Sequence, residues 1–270
     1  MKHFTLAAAL LGTIALAPSA HAQDFGQLLE DIEVNSTLDT VSEYVFRGVS
    51  LGSGSVQPGT SLSLGGLTVG SWYSAGFGED SAVQSDELDL YASYSLPLEG
   101  PISVSGGITY YFFPQAGDFL ETDGGSTGSF EVNGNIGLND VPLSPNVTAY
   151  YDFNLESLTL EGNVSHSFDL PRDGWSANLG LTVGHVDLDG ETFFSDATKP
   201  FDNYQWGTAT VSANKAITDD ISFYVSGNFT ANSESSALDF NQVTAADGSV
   251  FADRDDSTLF WFGTGISVNY

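Results

Sequence analysis

Two histidines, His166 and His185, and no cysteine set the limits on chemistry beyond residue 22. A serine nucleophile needs a base within hydrogen-bond reach, and histidine is the usual one. His166 and Ser167 are neighbours in an alternating run, so their side chains point to opposite faces. His185 shares a face with Asp187 but has no serine partner in the pattern. Both rings fall on the apolar side of their runs near the ends, where an interfacial aromatic-like role is the ordinary reading. The same shortage leaves no transition-metal cluster. The acidic stretches 187–191 (DLDGE) and 253–256 (DRDD) lack the regular spacing of a dedicated calcium loop. A hydrolytic site therefore ranks last, and neither a cofactor nor a metal is expected.

Charge is the richer resource. The chain has 6 Lys+Arg against 35 Asp+Glu, a formal net charge of −29. Such a surface repels nucleic acid and gathers cations. Arg47 stands alone between Lys2 and Arg172 as a basic residue. Read as part of a strand, it shares a face with Asp39 and Glu43. Asp89, Glu131, Asp152 and Glu161 fall on the polar faces of later runs. If those faces enclose one lumen, a fixed cation among carboxylates forms a constriction that selects ions. The plainer reading of Arg47 is an internal ion pair joining the first strand to its neighbours, and the two are compatible. Most other acids, Asp187, Asp189, Asp196, Asp253, Asp255 and Asp256 among them, fall in loops. There, solvation or a saline medium is reason enough for them.

The elements that would enclose such a lumen follow a period of two. Over residues 257–270, Phe260, Phe262, Thr264, Ile266, Val268 and Tyr270 point one way. Leu259, Trp261, Gly263, Gly265, Ser267 and Asn269 point the other, the mark of a strand between unlike surroundings. The same alternation sets Leu88, Leu90, Ala92 and Tyr94 against Asp89, Tyr91, Ser93 and Ser95. It sets Leu158, Leu160, Val164 and Phe168 against Thr159, Glu161, Asn163 and Ser165. The first strand is predicted over 35–49, a Gly/Ser loop over 51–57 and a second strand over 59–64. Gly65-Gly66 then makes a two-residue hairpin.

Continued to the end, the pattern predicts an all-β fold, a single antiparallel transmembrane barrel of 12 strands over 35–270. Short turns at 65–66, 97–101, 139–145, 169–173 and 217–220 fall on one rim. Longer, acidic loops at 78–86, 114–127, 187–202 and 232–256 fall on the other, the asymmetry of a bacterial outer-membrane barrel. A soluble β-sandwich also alternates, but needs neither that asymmetry nor so many aromatics at strand ends.

The start of the chain agrees. Lys2, an apolar run over 4–16 and Ala20-His21-Ala22 make residues 1–22 a signal peptide, implying Sec export. Residues 23–34 form a short segment, with Phe25, Leu28, Leu29 and Ile32 at helical spacing. No later apolar run approaches the roughly 20 residues of a membrane helix, which leaves a closed barrel as the spanning structure. The expected partners are outer-membrane lipid, the barrel-assembly machinery engaging the last strand, and small solutes or cations.

A resemblance joins these readings. Ser42-Glu43-Tyr44-Val45-Phe46-Arg47-Gly48-Val49-Ser50 is similar to the S-x-Y-x-F-R-G-x-S opening of the TorF-family porins of proteobacterial outer membranes. Gly70-Ser71-Trp72-Tyr73-Ser74, Glu87-Leu88-Asp89-Leu90-Tyr91 and Gly107-Ile108-Thr109-Tyr110-Tyr111 extend it, with weaker echoes around Glu161 and over 203–229. The chain departs from the family's P-x-x-Q-G, reading Val56-Gln57-Pro58-Gly59 instead. The resemblance implies an outer-membrane barrel and a porin label without an established substrate. Trp72, Tyr91, Tyr111, Tyr150, Tyr224 and Trp261 all fall on the lumen side, bulky filling for a barrel of modest diameter. The expectation is a narrow, cation-preferring porin; a closed-lumen structural or adhesive barrel is the alternative.

Overall fold

The computed structural model describes residues 31–77, 86–115, 118–120, 128–188, 203–234, 243–244, 250–251 and 257–270. Its strands are β1 (Glu33–Phe46), β2 (Val49–Leu64), β3 (Leu67–Gly76), β4 (Glu87–Ser95), β5 (Ile102–Phe112) and β6 (Gly128–Leu138). They continue as β7 (Asn146–Asp152), β8 (Ser157–Asp169), β9 (Trp175–Leu188), β10 (Tyr204–Ala216), β11 (Ile221–Asn232) and β12 (Thr258–Asn269). Each strand pairs antiparallel with the next in sequence, and β12 closes on β1 through Asn35↔Asn269 to Val41↔Gly263. The result is a closed barrel of twelve strands, the expected number. A two-residue ribbon, Val243–Thr244 with Val250–Phe251, stands apart from it.

The alternation sorts the side chains as expected. Leu160, Leu181, Val183, Val211, Phe260 and Phe262 face outward and are exposed, Phe260 by 60%. Inward, Glu131, Thr159, Ser74 and Thr230 are buried. An apolar outside around a polar inside is the reverse of a water-soluble barrel. It is stable where hydrocarbon replaces water outside and every backbone group is paired around the closed sheet. His166 and His185 lie on the outward side. His166 sets its ring edge-on to Phe168 with 4.4 Å between centroids, and His185 Nδ1 lies 3.1 Å from Gln205 Nε2.

Three expectations require correction near the start. The predicted loop over 51–57 is strand, part of a sixteen-residue β2. The connection is instead the two-residue turn Arg47-Gly48, with φ of 47° and 76°. Positive φ at both central residues is what a hairpin turn matched to strand twist requires. Arg47 therefore sits in the turn, not on a strand face with Asp39 and Glu43. Inspection of the Gly/Ser run as a loop missed that β2 gains its pairing from β1 rather than from its own propensity. Of the helical reading of 24–34, residues 24–30 lie outside the described residues. Glu33 and Val34 already belong to β1.

The tip of the β1–β2 hairpin leaves the barrel wall. β1 stops pairing with β12 after Val41, and β2 pairs with β3 from Ser55 onward, with the Phe77 amide donating to the Gly54 carbonyl at 2.8 Å. Between these points the two strands pair with each other alone, and their register shifts between Tyr44 and Val45. The Phe262 amide donates to Ser42 Oγ at 2.9 Å, occupying a backbone group at the point of departure. The freed tip packs inward. Val49 forms a buried apolar cluster with Val186 of β9 and Tyr204 and Trp206 of β10, strands four and three places from β1 around the barrel, and Leu51 lies against it.

Glycines make that cluster possible. A Cβ on Gly184 would lie 1.9 Å from Trp206 Cη2, and one on Gly48 2.2 Å from Trp206 Cβ. Gly184→Ala should therefore overpack the site and cost about 1–3 kcal/mol, read as a lower urea midpoint in detergent or lipid. Gly134→Ala, whose Cβ would meet nothing within 4 Å, should leave the midpoint unchanged or raise it slightly.

Candidate functional site

The turn that carries Arg47 ends inside the barrel because its guanidinium finds a buried carboxylate there. Arg47 Nη1 donates to Glu131 Oε2 at 2.6 Å and Nη2 donates to Oε1 at 2.8 Å. Tyr111 OH donates to the same Oε1 at 3.0 Å. Glu131, on β6, is only 2% exposed. The guanidinium carbon lies 4.1 Å from the centre of the Tyr150 ring and 4.7 Å from that of Phe46. A planar, forked cation thus meets a carboxylate bidentately while its faces rest on rings, a geometry lysine could not reproduce.

Further bonds hold the tip from other sides. Asn232 Nδ2, at the end of β11, donates to the Gly48 carbonyl at 2.8 Å. Tyr44 OH donates to Glu87 Oε2 on β4 at 2.8 Å, and its ring lies 5.5 Å from that of Trp72 on β3. Phe46 meets Tyr111 edge-on at 6.0 Å. Ser50 Oγ donates to Glu43, bridging the two strands of the tip. β3, β4, β5, β6, β7, β9, β10 and β11 all contribute contacts, so the tip spans the lumen near the long-loop rim as a plug.

The predicted site residues divide into three groups. Arg47 and Glu131 form the ion pair of the plug, and Glu43 belongs to the tip itself. Asp89 faces the lumen two residues from Glu87. Asp152 shares the inward face with Tyr150 and lies directly across the wall from Glu131, but its carboxylate is taken up by the wall itself. It accepts from Ser129 Oγ at 2.5 Å and from the amides of Asn154 and Leu155 at 2.9 and 2.8 Å. That makes it the cap of the turn over 153–156. Asp39 and Glu161 lie away from the plug. Asp39 accepts from Tyr224 OH at 2.9 Å, and Glu161 accepts from Asn163 Nδ2 at 2.9 Å.

Glu87 was missed by the sequence reading. Its signal was its spacing from Asp89, which places two carboxylates on one face of a strand. Its position beside the acidic run leading into β4 hid it among loop acids.

Toward the short-turn rim the lumen changes character. Its wall is a ladder of neutral polar groups: Asn135 Nδ2 donates to Thr148 Oγ1 at 2.7 Å, Thr182 Oγ1 to Asn163 Oδ1 at 2.5 Å and Thr210 Oγ1 to Asn228 Oδ1 at 2.8 Å. Most of these side chains are half-buried, and they are small. Of the six aromatic rings expected inside, Trp72, Tyr111 and Tyr150 belong to the plug. Tyr224 bonds Asp39, Trp261 Nε1 donates to Thr230 Oγ1 at 3.1 Å, and Tyr91 faces Gly70 across the β3–β4 pairing.

Residues 30–243 match the model of a family described as a bacterial protein of unknown function (Gcw_chp). No curated protein matches the sequence. Among solved structures, the KdgM porin in complex with disordered oligogalacturonate is similar at a TM-score of 0.50 and 11% identity, over 87% of this chain and 98% of that one. The NanC porin gives 0.49 and 10%, over 88% and 98%. The COG4313 outer membrane channel from Pseudomonas putida F1 gives 0.46 and 12%, over 88% and 94%. At 11% identity the likeness to the KdgM porin speaks for the barrel fold alone.

The ion pair supplies a stability test. Glu131→Gln leaves a buried guanidinium without its counter-charge and should cost about 3–5 kcal/mol. The double change Arg47→Met with Glu131→Leu removes both charges and should cost much less. Urea unfolding of the refolded proteins in detergent, followed by tryptophan fluorescence, measures both.

Proposed function

We propose that this chain, which belongs to the Gcw_chp family of unknown function, is an outer-membrane porin-like channel for small solutes, narrow and cation-preferring. The proposal takes residues 1–22 as the signal peptide that sends the chain there through the Sec pathway. The S-x-Y-x-F-R-G-x-S resemblance to the TorF-family porins fits the same assignment.

One observation carries the reading. The lumen wall toward the short-turn rim is built of buried and half-buried Asn and Thr side chains, bonded in pairs along the wall. A barrel whose only task is to stand in a membrane could fill that space with apolar side chains at less cost. A hydrated, neutral wall suits the passage of small polar solutes. Asp39 and Glu161 add negative charge on this face, while Arg47 is already matched by Glu131. The charge left over favours cations.

The size of the permeating solute is limited by the plug, so wide, unselective diffusion does not fit. A closed-lumen structural barrel is the second reading, and the packing of the tip against Val186, Tyr204 and Trp206 favours it. Planar-bilayer recording of the refolded mature chain under a potassium chloride gradient separates them. Discrete steps reversing on the cation side support the channel, and a folded but silent protein supports the closed barrel. In the conducting case, Asp39→Asn with Glu161→Gln should shift the reversal potential toward zero. An unchanged potential would remove these two carboxylates from the selectivity argument.

A further inference from the structure

The features of the hairpin tip fit a movable part better than a fixed wall. Residues 42–53 have left the pairing of both neighbouring strands and are held in the lumen by side chains. We propose that the tip is a gate, with the Arg47–Glu131 ion pair as its latch and the cluster of Val49, Val186, Tyr204 and Trp206 as its seat. The proposal rests on the channel reading and adds to it the part that opens.

The residues of the tip divide the work. Tyr44 and Phe46, on either side of the register shift, fill the lumen beside Trp72 and Tyr111. Arg47 reaches β6 and closes the latch. Gly48 lets the turn approach Trp206, which any side chain would block, and adopts the left-handed backbone the turn needs. Ser50 braces the tip against Glu43. The distinctive stretch of the sequence is therefore the gate itself, from Tyr44 to Ser50.

The hinge follows from the same pairing. Below it, β1 and β2 are held by β12 and β3; above it, they hold only each other. Swinging the tip out of the lumen breaks no strand pairing with a neighbour. It costs the latch, the bonds from Tyr44 and Asn232 to Glu87 and the Gly48 carbonyl, and the apolar seat. These are a limited number of side-chain contacts, the kind of set that two arrangements of one element can exchange. The cation of the latch is also the sole one among the described lumen residues, and Glu131 is the carboxylate it meets bidentately.

Bilayer recording of latch variants tests the gate apart from the channel. The variants are Arg47→Ala, Glu131→Gln, and the exchange Arg47→Glu with Glu131→Arg. A fourth has residues 45–50 replaced by a two-glycine turn. The heat-dependent gel shift of folded barrels confirms that each protein is folded. The gate predicts that both single variants spend a larger fraction of time open than the natural chain. It predicts that the exchange returns that fraction toward the natural value, and that the shortened hairpin conducts without closing. Equal open fractions in all four would overturn the gate and leave the channel standing. Silence from a folded shortened hairpin would overturn the channel reading itself.

Discussion

A buried guanidinium in a membrane barrel must be paired, and the pairing of Arg47 with Glu131 organises the interior around it. Removing two charges from water costs several kcal/mol per ion, and only good geometry with supporting hydrogen bonds recovers it. Here Tyr111 completes the carboxylate and two rings cover the guanidinium. The pair is available only if the turn bearing Arg47 comes inside the wall. The departure of β1 and β2 from their neighbours, the register shift at Tyr44 and the glycines around Trp206 all answer to that requirement.

The lumen consequently has two zones with different physics. Near the long-loop rim, aromatic and apolar side chains from the tip meet the opposite wall in a dry packing. Toward the other rim, short polar side chains leave room and bind one another in pairs. On the proposed channel reading, a solute entering from the short-turn side would meet this polar zone before the plug. Charge is distributed between them: the one strong ion pair belongs to the plug, while Asp39 and Glu161 belong to the polar zone.

Much of the barrel was legible in the sequence. Strands such as β12 or β8 alternate cleanly because lipid lies on one side and polar groups on the other, and that contrast is written residue by residue. The count of twelve and the sides taken by Asp89, Glu131, Glu161, Trp72 and Tyr224 follow from the same rule. The alternation fails where the surroundings cease to differ. Around the β1–β2 tip both faces meet protein, so Tyr44 and Phe46, apolar enough to read as lipid-facing, turn inward. The Gly/Ser run over 51–57 looked like a loop because small side chains carry no face at all. The bond between Arg47 and Glu131 joins residues 84 positions apart, a distance no local pattern encodes. The turn that Asp152 caps was hidden for a related reason, since a carboxylate capping a turn and one free to line a lumen have the same spacing from their neighbours.

Accessibility of the tip in the folded protein tests the central claim most directly, and the absence of natural cysteine makes the measurement clean. Ser50→Cys places a thiol in the tip where the serine is fully buried, and Ser61→Cys places one lower on the same strand in the half-buried polar zone. A small, charged, membrane-impermeant thiol reagent should modify the cysteine at 61 readily. It should modify the cysteine at 50 far more slowly, the difference vanishing on unfolding. Equal and rapid modification of both in the folded barrel would show that the tip does not occupy the lumen.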